Sequence, residues 1–398
     1  MRRTRLRMGL AVLGFLAIFT AGRARGEETV SVRDRTGLVE ALRKAKPGTR
    51  ILLAPGTYAG GLVQAGLKGT AAAPIVIAGA EAARPPVIEG GASGLQLSSP
   101  EHVELRDLVL RGATGNGLNI DDSGSSATPA HHLTLRRVTV REVGPKGNSD
   151  GIKLSGVNEF LVDDCRIERW GNSGSAIDMV GCSRGTIVDC ECVGSGGDYA
   201  NGVQTKGGSR EIAVRRCRLE DCGGRGVNLG GHTGEPFFRP KFEDFEARAI
   251  TVEDCEFRGS AAAVCFVGVD GAIVRNNLIV RPGRWPIRIL QENMDSRLVP
   301  CREGQFENNV VVFRSDELRQ TVNVGGRTAP ETFRFVGNVW YCADRPGDSK
   351  RLVQLPGTDR ESTFTDPGFR DPKNGDYRLM RPGKMGPGPR PRDKEGAG

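Results

Sequence analysis

The sequence predicts an all-β fold: a single-stranded right-handed parallel β-helix, a solenoid closed at its N-terminal end by a short capping helix. Three observations carry the prediction. Short segments of one pattern recur along the chain, a second family of alternating strands lies between them, and no helical period appears after residue 46.

The recurring segments read small residue, apolar, variable, apolar: SGLQLSS (93–99), NGLNIDD (116–122), DGIKLSG (150–156), SAIDMVG (175–181), NGVQTKG (201–207), RGVNLGG (225–231), AAVCFVG (262–268), WPIRILQ (285–291) and TVNVGG (321–326). The first apolar residue of each gives Leu95, Leu118, Ile152, Ile177, Val203, Val227, Val264, Ile287 and Val322. Their spacing is near 24, lengthened at three places. A fixed period of this size is the mark of a repeat architecture. Between the copies lie stretches such as HLTLRRVTV and EIAVRRCRL, whose alternation and β-branched residues predict strands, with glycines and polar residues closing the turns. Short strands stacked without intervening helices give about nine to eleven coils over residues 30–380.

The ends of a solenoid must be covered. Residues 36–46 place Leu38, Ala41, Leu42 and Ala45 on one helical face and run into Pro47-Gly48, which predicts the capping helix. Residues 1–26, with four early arginines, the apolar run Met8–Ala21 and small Ala24 and Gly26, read as a signal peptide. The β-helix domain is assigned to 27–380 and a Pro/Gly/charge-rich disordered tail to 381–398. The protein is therefore expected to be secreted or periplasmic, with no membrane span in the mature chain, and monomeric.

Charge follows from the same cut. The whole chain carries +8, and losing the six arginines of residues 1–26 leaves +2. No basic stripe remains, which excludes nucleic acid as the expected partner.

One column of the second strand family reads Val138, Cys165, Cys190, Cys217, Cys255, Asn277, Asn309, Asn338. Stacked on rungs about 4.8 Å apart, the cysteines are expected to point inward as small apolar fillers, mostly reduced, and the asparagines to form an amide ladder. Disulfides between neighbouring rungs are sterically allowed. No metal site is expected, since neither a pair of CxxC motifs nor a histidine cluster accompanies the cysteines.

Alternation within the recurring segments predicts two outward columns. The first contains Gln96, Asn119, Lys153, Asp178, Gln204, Asn228, Cys265, Arg288 and Asn323, and the second contains Val180, Lys206 and Gly230. Such a polar stripe also fits plain solvation of a sheet's open face. The three insertions, 121–132, 230–249 and 289–305, all follow the first strand and are expected to stack as a wall beside the stripe. The middle one carries Phe237, Phe238 and Arg239, suited to stacking sugar faces and pairing carboxylates, or to packing on itself. Asp178 is expected to hold Lys153 charged, whereas Lys206, between Val180 and Gly230, is expected to be partly desolvated and fit to act as a base. His232 would serve as the acid, with Arg225 or Arg239 neutralising a substrate carboxylate. Lys153, Asp178, Gln204, Asn228, Phe237, Phe238, Arg239 and Arg288 form the expected substrate-binding set.

ILLAPGTYAGG, AAPIVIAGA and PPVIEGG resemble the opening coils of secreted β-helix proteins in the pectin-lyase-like superfamily, nearest the chondroitinase B and alginate lyase group. DPGFRDPKNGDYRL is similar to the closing segment of many bacterial right-handed β-helix proteins. The resemblance implies a lysine base, mapping QTKGGS onto Lys206, together with an arginine and a calcium ion held by Asn and Glu side chains. The chain departs from that pattern where it reads VNLGGH at 227–232 in place of the arginine, and where GGDYANG offers only Asp198 and Asn201 as calcium ligands. Two functions stay open: an enzyme acting on an acidic, uronate-containing polysaccharide by lyase-type β-elimination or epimerisation, and a non-catalytic glycan-binding or cell-envelope protein. A glycoside hydrolase ranks below both, because Asp178 has no acidic companion in its column.

Overall fold

The computed structural model describes residues 28–194 and 197–380, so the signal peptide and the tail assigned from the sequence lie outside the described residues. Its strands coil into a parallel β-helix with two long walls, a ten-stranded sheet and a 22-stranded sheet that includes both strands of each turn.

The ten-stranded sheet contains the recurring segments in the predicted register. Leu95 pairs with Leu118, Leu118 with Ile152, and Ile152 with Ile177, followed by Val203, Val227, Val264, Ile287 and Val322, rung on rung. All nine are buried. A tenth strand, Leu62–Ala65, pairs below Leu95–Ser98 and was not resolved by the repeat pattern. The small first position has a steric cause. A Cβ on Gly117 would lie 2.2 Å from the Val140 side chain, and one on Gly226 would lie 2.7 Å from both Phe257 and the Ala263 carbonyl. On these coils no Cβ fits, so glycine is required, whereas other coils make room for Ala176, Ala263, Pro286 and Thr321 at the same position.

The capping helix spans Arg35–Lys44. Asp34 caps it by accepting from the Gly37 N–H at 2.8 Å, and Leu38, Ala41 and Leu42 seal the first coil. Beyond residue 364 the chain is more regular than its sequence suggests. Phe369–Asp371 and Asp376–Leu379 form an antiparallel hairpin whose Phe369 and Tyr377 pack on Leu278, Val280, Val310 and Val312 outside the solenoid.

The inward column is a continuous hydrogen-bonded ladder. Asn277, Asn309 and Asn338 each accept, through Oδ1, the backbone N–H of the rung before, from Cys255 at 2.8 Å, Asn277 at 2.9 Å and Asn309 at 2.9 Å. Their Nδ2 groups donate to the carbonyls of Val252, Val274 and Phe306. The residue before each ladder position is left-handed, as at Asp164, Asp189, Asp254 and Asn276, and the turn would otherwise strand a buried N–H. The cysteines are more than apolar fillers. Cys190 Sγ accepts from Cys165 N–H and Cys255 Sγ from Cys217 N–H, each at 3.4 Å, so sulfur continues the ladder that the amides begin. All ten cysteines are free and buried. Burial pushes the Cys165, Cys190 and Cys217 thiols well above their ordinary range, which keeps them protonated and unreactive.

Two outcomes test this core. Asn309→Ala leaves the Asn277 N–H and the Val274 carbonyl without their ladder partner, and should lower unfolding free energy by about 2–6 kcal/mol in denaturant titration, from about 1–3 kcal/mol per stranded group. A loss under about 0.5 kcal/mol would show that the ladder is not a stabilising element. Thiol titration without reductant should find almost no reactive cysteine in the native chain and nearly all of them after denaturation, whereas few thiols in the denatured chain would mean disulfides.

Candidate active site on the outer face

The three insertions do form one wall. Arg239 in the middle insertion meets Asp122 in the first at 2.8 Å, and Asp244 O accepts from Val299 N–H in the third at 2.8 Å. One buried carboxylate organises the centre. Glu246 accepts from Gly207 N–H (2.9 Å), Thr233 N–H (2.8 Å), Thr233 Oγ1 (2.7 Å) and Asn293 Nδ2 (2.7 Å). Those partners adjoin Lys206, His232 and Glu292 in sequence, so a single side chain fixes three groove-lining residues from three separate segments. The sequence reading missed Glu246, because it lies at the end of an insertion without a repeat position to give it meaning.

On the outer face of the ten-stranded sheet lies a groove of about 650 Å³, rimmed by the turns that lead into the strands (Ser173, Tyr199, Ala261 and Arg284 among them) and meeting the insertion wall at His232 and Glu292. Of the residues expected from sequence, Gln204, Lys206, Arg225, His232 and Arg288 line it. Tyr199, Arg284, Trp285 and Glu292 join them and were not foreseen. Tyr199 is 82% exposed, and Trp285 carries the Arg288 guanidinium 4.5 Å from its ring centroid. Trp285 had a legible signal: it occupies the rung position held by Ser175, Asn201, Arg225 and Ala262 on earlier coils. A large aromatic there covers the sheet.

Several expectations are corrected. Lys206 is not isolated from carboxylates: its Nζ lies 3.5 Å from Asp178 Oδ1 and donates to Gln204 Oε1 at 3.2 Å. Alternation on one strand cannot reveal this diagonal contact from the neighbouring rung. Arg239 is spent on Asp122, its side chain pressed against Gly181, and is unavailable to a ligand. Phe238 is buried against Phe242, and Phe237 is exposed away from the groove, so this loop's phenylalanines pack largely on the loop itself. Arg225 faces the groove but is ion-paired with Glu292. Asn228 points outward yet is fully buried, with neither amide atom hydrogen-bonded among the described residues.

Asp178 also has an acidic companion, supplied by the first residue of the third segment rather than by its own column. Asp150 Oδ2 accepts from Lys153 Nζ at 3.0 Å, and Asp178 Oδ2 accepts from the same ammonium at 2.5 Å. Burial, with the Asp178 charge beside it, pushes Asp150 up to about 6. Burial also works against the ionised Asp178, but Lys206 and Lys153 outweigh it and hold the carboxyl below its usual range. For Lys153, burial alone would lower the ammonium, and the two carboxylates raise it instead. Both acids are 1% exposed, so the two carboxylates shape the floor beneath the groove and do not themselves reach a ligand.

The calcium ion implied by the resemblance needs roughly six to eight oxygen ligands. Beside Lys206 stand Asp178, engaged by two lysines, Asp198, and Glu292, engaged by Arg225. This donor set does not fit calcium, and no step below runs through it.

Comparison with known proteins supports the architecture. Residues 93–279 match the family described as right handed beta helix region. No curated protein sequence matches the chain. Among solved structures, the fold is similar to lacto-N-biosidase from Eubacterium ramulus (TM-score 0.55, 14% identity, 83% of this chain and 64% of that one). It is also similar to a rhamnogalacturonan lyase (0.54, 13%, 78% and 87%) and to a PL6-family polysaccharide lyase from Pseudopedobacter saltans (0.51, 12%, 89% and 96%). At these identities the likeness is one of fold, a scaffold on which several chemistries occur.

Removing the organising carboxylate should be costly. Glu246→Ala strands four donors and is expected to lower stability by about 3–5 kcal/mol, in line with breaking a buried charged cluster. Glu246→Gln, which keeps two acceptor sites, should lose less. Equal stability of Glu246→Ala and the parent in denaturant titration would refute the organising role.

Proposed function

We propose that this chain, a right-handed parallel β-helix protein of the pectin-lyase-like superfamily, acts on a uronate-containing polysaccharide laid along the groove. The reaction its residues suit is β-elimination, or epimerisation, at the carbon bearing the carboxylate. One observation carries the reading: Lys206, Arg225, Arg284 and Arg288 line a single groove with His232 and the aromatic rings of Tyr199 and Trp285. Cations of this kind pair with uronate carboxylates, and exposed rings stack on sugar faces.

Both reactions begin by removing the proton next to the carboxylate, which needs a base and positive charge for the enolate-like anion that develops. Lys206, ion-paired with Asp178, is suited to hold the carboxylate or to donate a proton to the leaving oxygen. His232, exposed at the rim and free of an ion pair among the described residues, is the group placed to accept one. The roles are thus the reverse of those the sequence suggests. Arg288, backed by Trp285 and bonded to Asn323 Oδ1 at 2.9 Å, neutralises the carboxylate. The leader predicted at residues 1–26 would deliver this activity outside the cytoplasm, where such polymers occur.

A non-catalytic glycan-binding protein is the second reading, favoured by one fact: both outward lysines are engaged by carboxylates. Incubation with alginate, chondroitin and pectin, followed by ultraviolet absorbance of unsaturated uronate, separates the two, with isomer analysis of the recovered polymer to detect epimerisation. Turnover on one of these polymers should fall at least about 100-fold in His232→Ala and in Lys206→Ala, the scale of a lost proton-transfer group. Trp285→Ala should chiefly raise KM. Saturable, salt-sensitive binding without product would establish the second reading, and no binding to any uronate polymer would overturn both.

A further inference from the structure

The chain has four histidines, and three of them meet on the 22-stranded sheet, on strands that contribute nothing to the groove. His102 lies on strand Glu101–Arg111, and His131 and His132 lie on the neighbouring strand Ala130–Arg141. The strands pair in parallel with His131 opposite Glu101. His102 and His132 are both left-handed residues just inside the turn, which lifts their side chains off the regular pleat and onto one another. Their rings stack at 4.3 Å, and His131 stands edge-on to both, at 5.4 and 5.0 Å.

We propose that His102, His131 and His132 form a binding site for one divalent transition-metal ion, zinc by preference, that staples two neighbouring coils. One ring nitrogen from each histidine lies within 4.8 Å of the others, and among the described residues no other cluster of three metal-ligating side chains does so. Two nitrogens bound to one tetrahedral zinc ion sit about 3.3 Å apart, given Zn–N bonds of about 2.0–2.1 Å. His131 Nδ1 and His132 Nδ1 are 2.8 Å apart, so a small ring movement admits the ion between them.

One outer nitrogen is backed as a metal-bound imidazole requires, and a second has a carboxylate nearby. His132 Nε2 lies 2.7 Å from Glu159, whose other oxygen accepts from Arg184 Nε at 3.0 Å. His131 Nε2 lies 4.0 Å from Glu101, itself held by Lys68. A carboxylate behind the imidazole fixes its tautomer and orients the opposite nitrogen toward the ion. The imidazole set suits zinc, cobalt, nickel or copper and is ill suited to calcium or magnesium, which prefer oxygen. Three protein ligands leave the fourth position to water or another exchangeable group.

The test uses the full chain without a polyhistidine tag. Titration with Co²⁺ should give one saturable set of visible ligand-field bands per chain, displaced by Zn²⁺, and Zn²⁺ should raise the thermal midpoint. His102→Ala and His132→Ala should each weaken binding at least about 100-fold, while His232→Ala should not change it. Glu159→Gln, which keeps all three ligands and guards against misfolded alanine variants, should weaken binding about 10–100-fold. No saturable binding below millimolar Co²⁺ overturns the proposal, as does an intense thiolate charge-transfer band, which would place the ion on the buried cysteines. Binding unchanged in the histidine variants overturns it equally.

Discussion

Rung-on-rung register is the constraint from which everything else in this structure follows. Side-chain period two in each strand means that a slip of one residue would turn the whole apolar set outward. The buried ladder running from Cys165 to Asn338 guards against that slip, since each member satisfies a backbone N–H of the rung before it. A misregistered coil would strand those N–H groups away from water, at a cost no exposed contact offsets. The change from asparagine to cysteine within the ladder trades strong amide bonds for weaker sulfur ones. The thiols cross the middle coils, where Ile187, Val214 and Val252 pack tightly around them.

Register converts sequence spacing into a surface. Because each coil adds one residue to each column, insertions at one turn stack beside one another, and the wall bonded through Asp122–Arg239 and Asp244–Val299 is the result. Glu246 then ties the wall to the sheet at Gly207, so the residues flanking it share one rigid anchor. The floor is set by the Asp150–Lys153–Asp178–Lys206 chain, a buried alternation of charges that holds Lys206 toward its neighbour rung. Buried ion pairs of this kind specify geometry more than they add stability. Here the geometry they specify is the orientation of a groove lysine.

The fold was legible in the sequence because a repeat states the same packing problem nine times. The markers from Leu95 to Val322, the capping helix and the ladder column all follow from period and alternation. The site was legible only where alternation decides it, as with Gln204, Lys206 and Arg288. Arg225 and His232 sit at segment edges and line the same groove. What could not be read were contacts across rungs and between insertions. Asp178 reaching Lys206, Arg239 reaching Asp122 across 117 positions, and Glu246 collecting four donors depend on loop paths that no period encodes. The His102–His131–His132 cluster was missed for a related reason: two of its members sit at left-handed positions, where simple alternation fails.

The central claim, that the groove over the ten-stranded sheet receives an acidic glycan, is tested most directly by a crystal structure of the protein with a uronate oligosaccharide. The account predicts density along the groove, a uronate carboxylate within hydrogen-bonding reach of Arg288 or Lys206, and a sugar face against Trp285 or Tyr199. Oligosaccharide bound on the 22-stranded sheet, or lying in the groove with its carboxylates turned away from these cations, would contradict it.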